Sequence, residues 1–140
     1  NFSSAISEDN KIKIGLLVPL TGNDKKIGEQ IIKSTRMALQ DINTKKIEIY
    51  PKDTNSSPNK TLNSAKEFKE MGVKIVIGPV FYKNIENLDE IKEITFLSFT
   101  NKTIKLPDNI ISAGVNASSQ LSAIKKFIKM NDINRFNFAT

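Results

Sequence analysis

The chain has 140 residues and a formal net charge of +6, with 21 Lys and Arg against 15 Asp and Glu. It contains no cysteine and no histidine, which excludes disulfides, thiol nucleophiles, histidine bases and the common zinc ligand sets. No apolar stretch approaches the roughly 20 residues needed to cross a bilayer. The opening Asn1-Phe2-Ser3-Ser4 has neither the basic head nor the apolar core of a signal peptide. A processed mature chain would look the same.

Residues 1–10 are polar and aperiodic and read as an amino-terminal arm. The apolar run Ile12-Lys13-Ile14-Gly15-Leu16-Leu17-Val18 predicts a buried strand, and Pro19-Leu20-Thr21-Gly22 a turn. A helix is expected from near 25 to 43, with Ile27, Ile31, Thr35, Ala38, Leu39 and Ile42 on its buried face. Strand two is expected from Lys46 to Tyr50, ending at Pro51-Lys52-Asp53-Thr54. Ser57 and Pro58 read as N-cap and first position of a second helix, with Leu62, Ala65 and Phe68 inward and Gly72 as its stop. Strand three is 74–78 and gives way to Pro79-Val80-Phe81-Tyr82. A short helix follows with Ile85, Leu88 and Ile91 inward, then strand four at 94–99 and strand five at 110–114. Ser118 or Ser119 would cap a last helix bearing Leu121, Ile124, Phe127 and Ile128, and 135–140 alternates like a strand.

Strands alternating with helices through short connections predict an open parallel sheet, doubly wound, with helices on both faces. Right-handed crossovers give the order 2-1-3-4-5. In such sheets ligands bind at the carboxyl ends of the strands. Three candidate clusters follow. Leu20, Thr21 and Gly22 precede a helix whose first amides lack internal partners; a ligand carboxylate could accept from them and from the Thr21 hydroxyl, or the segment is a plain turn. Phe81 and Tyr82 could wall an aliphatic group, or cap the core and lie on the surface. Ser98, Thr100 and Asn101 offer hydroxyl and amide groups at the end of strand four.

Other chemistries find no support. Asp53 after strand two would suit a receiver-type phosphoacceptor, but Pro19 and Leu20 stand where the magnesium-holding acids belong. There is no G-x-G-x-x-G and no Walker sequence, so no nucleotide cradle, and neither cofactor nor metal is expected. The lysines are dispersed, without an arginine cluster or aromatic ladder, which argues against nucleic acid. An enzyme is not expected.

"IGLLVPLTG", Gly28 and "MALQDIN", then "YPKDTNSSP", "AKEFKEMGVKIVIGPVF", "FLSFTNKT" and "AGVNASSQLSAIKKFI" together resemble the type 1 periplasmic solute-binding proteins. The branched-chain amino-acid binders and the penicillin-binding-protein activators share that opening; "FLSFTNKT" is similar to the activator branch. The resemblance implies a first ligand-binding lobe at 11–115, and a hinge with the start of a second lobe at 116–140. It further implies a two-lobed clamshell in the periplasm or on the cell surface as a lipoprotein. Such a protein presents an amino acid or similar small polar solute to the membrane permease of an ABC-type importer. The alternative it carries is a cell-envelope regulator that binds a peptidoglycan synthase. A lone last helix with an uncovered apolar stripe would also favour self-association.

Overall fold

A computed structural model describes residues 11–40, 47–100 and 105–112. The expected arm, Ile42, Asn101, the last helix, the terminal strand and the segment 116–140 lie outside the described residues, and with them the expected self-association.

Five strands form one all-parallel sheet: β1 (Ile12–Val18), β2 (Ile47–Asp53), β3 (Ile75–Ile77), β4 (Thr95–Ser98) and β5 (Ile110–Ser112). Their order is β2-β1-β3-β4-β5, as the alternation predicts. Residues of β1 alternate between two cores because strand side chains alternate faces. Ile14, Leu16 and Val18 join Ile75, Ile77 and Leu97 on one side, beneath α1 (Lys25–Gln40), which contributes Leu39. Leu17, Val76 and Phe96 lie on the other, beneath Ala65 and Phe68 of α2 (Pro58–Glu70) together with Ile85, Leu88 and Ile91. Helices thus cover both faces, and the central strands are buried on both sides, which explains their near-continuous apolar runs.

Helix α2 starts and stops as its sequence predicts. The Ser57 hydroxyl accepts from the Lys60 amide at 3.4 Å, with Pro58 at the first helical position. At the other end Val73 N donates to Phe68 O and Gly72 N to Lys69 O, each at 3.0 Å, the paired bonds of a Schellman stop.

Three expectations need correction. Strand β2 does not end at Tyr50 but continues through Pro51, which pairs with Leu16, to Asp53, which pairs with Val18. Because β2 is the edge strand, a proline without an N–H breaks no ladder bond there. The single helix expected around Ile85, Leu88 and Ile91 is instead two 3₁₀ turns, Tyr82–Ile85 and Leu88–Glu90. Asn87, at φ +65°, interrupts them, yet all three apolar side chains are still buried. Finally, Ile27 is 38% exposed, not inward. Gly28 takes the buried place, because a Cβ there would lie 1.8 Å from the Pro19 carbonyl oxygen. The start of α1 is pressed onto the end of β1 more closely than any side chain permits.

Candidate functional site

After β1 the chain winds to β2 on one side, and after β2 it crosses to β3 on the other. Successive connections therefore diverge at the carboxyl ends of β1 and β3. This switch point is where open α/β sheets leave a crevice. The loops around it fall into two separately tied groups.

The first ties the loop after β1 to the end of β2. Asp53 Oδ1 accepts from the amides of Leu20 at 2.7 Å, Thr21 at 3.3 Å and Asn55 at 2.8 Å. Its Oδ2 accepts from Thr21 Oγ1 at 2.6 Å and Lys60 Nζ at 3.1 Å. Ser56 Oγ adds a bond to Asp24 Oδ2 at 2.7 Å, just before α1. Burial pushes the Asp53 carboxyl up, but the bonds from Thr21, Leu20, Asn55 and Lys60 outweigh it and hold it well below the usual carboxylate range. The turn this network fixes needs Gly22, at φ +80°, where a side chain would be strained and would meet Asn55 Oδ1.

The second group joins the ends of β3 and β4. Ser98 is fully buried, its Oγ donating to Pro79 O at 3.0 Å and accepting from Thr100 N at 3.2 Å. Phe99 N donates to the same Pro79 carbonyl at 3.1 Å, and Gly78 N to Leu97 O at 2.8 Å. The Gly78–Pro79 peptide bond is cis. Thr100 is buried, and its carbonyl accepts from Ser112 Oγ at 2.6 Å, linking β5 to the group.

Between the groups the rim is apolar. Leu20, Val80 and Phe99, all half-buried, pack on the core beneath α1. Phe81 is half-buried and Tyr82 is 42% exposed.

The candidate residues are therefore placed differently from one another. Thr21, Gly22 and Tyr82 are exposed, Leu20 and Phe81 half-buried, Ser98 and Thr100 buried, and Asn101 outside the described residues. Thr21 turns its hydroxyl toward Asp53 and Asn55, on the β2 side. The Thr21 hydroxyl expected to await a ligand carboxylate already holds the carboxylate of Asp53, joined by the loop amides of Leu20 and Thr21. The first amides of α1 donate to the turn, Lys25 N to Gly22 O at 3.4 Å and Ile27 N to Asp24 O at 3.0 Å. Sequence reasoning gave Asp53 no part in the site. The signal was available in the strand order: an acid ending the strand beside β1 must face the amides that end β1. Among the described residues, no group of His, Cys, Asp or Glu could hold a metal ion.

A family model described as periplasmic binding protein matches residues 11–140. The chain belongs to the periplasmic binding protein family. Within it, the fold is similar to the leucine-binding protein LivK of Thermotoga maritima, at 21% identity and TM-score 0.57, covering 62% of this chain and 27% of that one. It is similar to the branched-chain amino acid transporter substrate binding protein LivJ of Streptococcus pneumoniae, solved with isoleucine (21%, TM-score 0.59, 72% and 33%). It is also similar to the C-domain of Haemophilus influenzae LpoA, a regulator of PBP1A (20%, TM-score 0.62, 74% and 33%). No curated protein sequence matches it. The chain spans a third or less of the length of these structures.

Proposed function

We propose that this chain is the amino-terminal lobe of an extracytoplasmic solute-binding protein, held in the periplasm or on the cell surface as a lipoprotein. It captures an amino acid or similar small polar solute and presents it to the permease of an ABC-type importer. The supporting observation is the strand order, whose β1/β3 switch point lies between the hydrogen-bonded loop of Leu20 and Thr21 on one side and Val80, Phe81 and Tyr82 on the other. In this reading Leu20, Thr21, Gly22, Phe81, Tyr82 and Asn101 meet the solute. Ser98 and Thr100 act from beneath by fixing the loops that carry those contacts. Residues 116–140 lead into a second lobe, and closure of the two excludes water from the polar contacts. The role is binding without catalysis.

Thermal-shift screening of the complete polypeptide against amino acids tests the reading, because a ligand bound only to the folded state raises the midpoint by mass action. At least one amino acid should do so.

A second reading is a cell-envelope regulator that binds a peptidoglycan synthase. It is favoured by the internal engagement of the polar groups expected to meet a solute: the Thr21 donors on Asp53 and the Ser98 hydroxyl on Pro79. No response to any amino acid, together with measurable affinity for a purified peptidoglycan synthase, would favour this reading over the first.

A further inference from the structure

The end of β1 is an anion cradle with its anion built in. Two successive amides, Leu20 N and Thr21 N, the Thr21 hydroxyl and the Lys60 ammonium converge on one point, and Asp53 fills it. With Asn55 N, five donors meet a carboxylate that offers about four lone-pair sites. No capacity is left on either oxygen for a ligand donor, and neither the two amides nor the Thr21 hydroxyl proton is available to a ligand anion; Lys60, half exposed, spends one of its three N–H donors here.

The same geometry fixes the polarity of what is still exposed. Thr21 Oγ1 has one proton and two acceptors in reach, Asp53 Oδ2 at 2.6 Å and Asn55 Oδ1 at 3.2 Å. The shorter bond, to the charged oxygen, takes the proton. Thr21 Oγ1 then offers only lone pairs: one faces the Asn55 side-chain amide 3.2 Å away, whose NH2 end satisfies it as donor, and the other is left for a ligand donor.

We propose that Asp53 is a specificity-determining residue: it occupies the cradle, closes this corner of the crevice to acidic groups, and leaves there a surface that receives N–H or O–H donors. If the solute is an amino acid, its carboxylate is held elsewhere and a donor group faces Thr21. This last step rests on the solute-binding reading; the occupied cradle itself does not.

The test uses acetate, which can replace the missing side chain. Asp53→Ala should unfold at a lower temperature than the parent chain, and acetate should restore a large part of the loss. Chloride at equal ionic strength should restore much less, and neither salt should distinguish itself on the parent chain. An unchanged midpoint in Asp53→Ala, or recovery no better with acetate than with chloride, overturns the proposal. So does an equal acetate response in the parent chain.

A second measurement decides independently if Asp53→Ala does not fold. In the parent chain the amide proton resonances of Leu20, Thr21 and Asn55 should move together in one acid titration, and in Asp53→Asn that shared movement should vanish. Three amides that titrate separately, or still titrate in the variant, overturn the proposal. Neither measurement involves solute capture, so a failed rescue and a failed solute screen are distinguishable results.

Discussion

At the end of β2 the tie across the rim is a charged carboxylate with a fifth of its side-chain surface in water; at the end of β4 it is a neutral hydroxyl with none. Asp53 gathers donors from two loops and a helix, whereas Ser98 passes one bond to Pro79 and takes one from Thr100. The contrast teaches that one half of the rim is tied together through a charge. The other half owes its shape to burial and is indifferent to pH. The β1/β3 switch point lies between the halves, and none of the bonds described above crosses it.

Steric change at the first half should have the largest effect. Gly28→Ala places a methyl group against the Pro19 carbonyl, and backbone cannot yield as a flexible side chain can. A loss of about 3 kcal/mol or more is expected by chemical denaturation, at or above the top of the usual range for overpacking. That loss would outweigh the roughly 1 kcal/mol that alanine gains over glycine in a helix. A near-neutral Gly28→Ala would show that α1 does not press on β1.

Asp53→Ala comes next, at about 2–3 kcal/mol, the size of one or two unmet partly buried donors. Ser98→Ala should cost about 1–2 kcal/mol for one lost donor bond and one orphaned amide. If the halves are independent, Asp53→Ala combined with Ser98→Ala should be additive to within about 0.5 kcal/mol. Coupling beyond that would join what the hydrogen bonds separate.

The pH dependence sharpens the same contrast. The Asp53 pKa is depressed, so its contribution is complete above the ordinary value of 3.8 and is lost as pH falls further, toward the folded-state value. The ionisable groups around Asp53 are Lys60, bonded to Oδ2, and Asp24, on the far side of the Asn55-Ser56 turn. Acid unfolding of the parent chain should therefore show a limb below about pH 4 that Asp53→Asn lacks and Ser98→Ala keeps. The smallest effect belongs to the surface. Lys69→Ala, which removes the exposed pair with Glu93 at 3.5 Å, should leave the denaturation midpoint nearly unchanged.

Much of the fold could be read in advance because parallel strands buried on both faces advertise themselves. Leu16-Leu17-Val18 and Ile75-Val76-Ile77 carry no polar residue for either face to explain. Ser57-Pro58 and Gly72 marked both ends of α2. What periodicity could not show was where one element meets another. Ile27 fits the helical stripe as well as Gly28 does, and only contact with Pro19 decides between them. Pro51 looks like a terminator until β2 is known to be an edge. The site suffered in the same way: its residue types were legible, but whether a donor already has a partner depends on the neighbouring strand. Asp53 settles that for Thr21, and Pro79 settles it for Ser98.

The claim that a solute enters at the carboxyl ends of β1, β3 and β4 is tested most directly by hydrogen–deuterium exchange on the complete polypeptide. The measurement is made with and without the amino acid that raises its midpoint. Protection should concentrate in residues 19–24, 78–85 and 98–101, with the outward face of α1 around Met37 unchanged. Protection confined to α1, α2 or the amino ends of the strands, with those three loops unaffected, would contradict it.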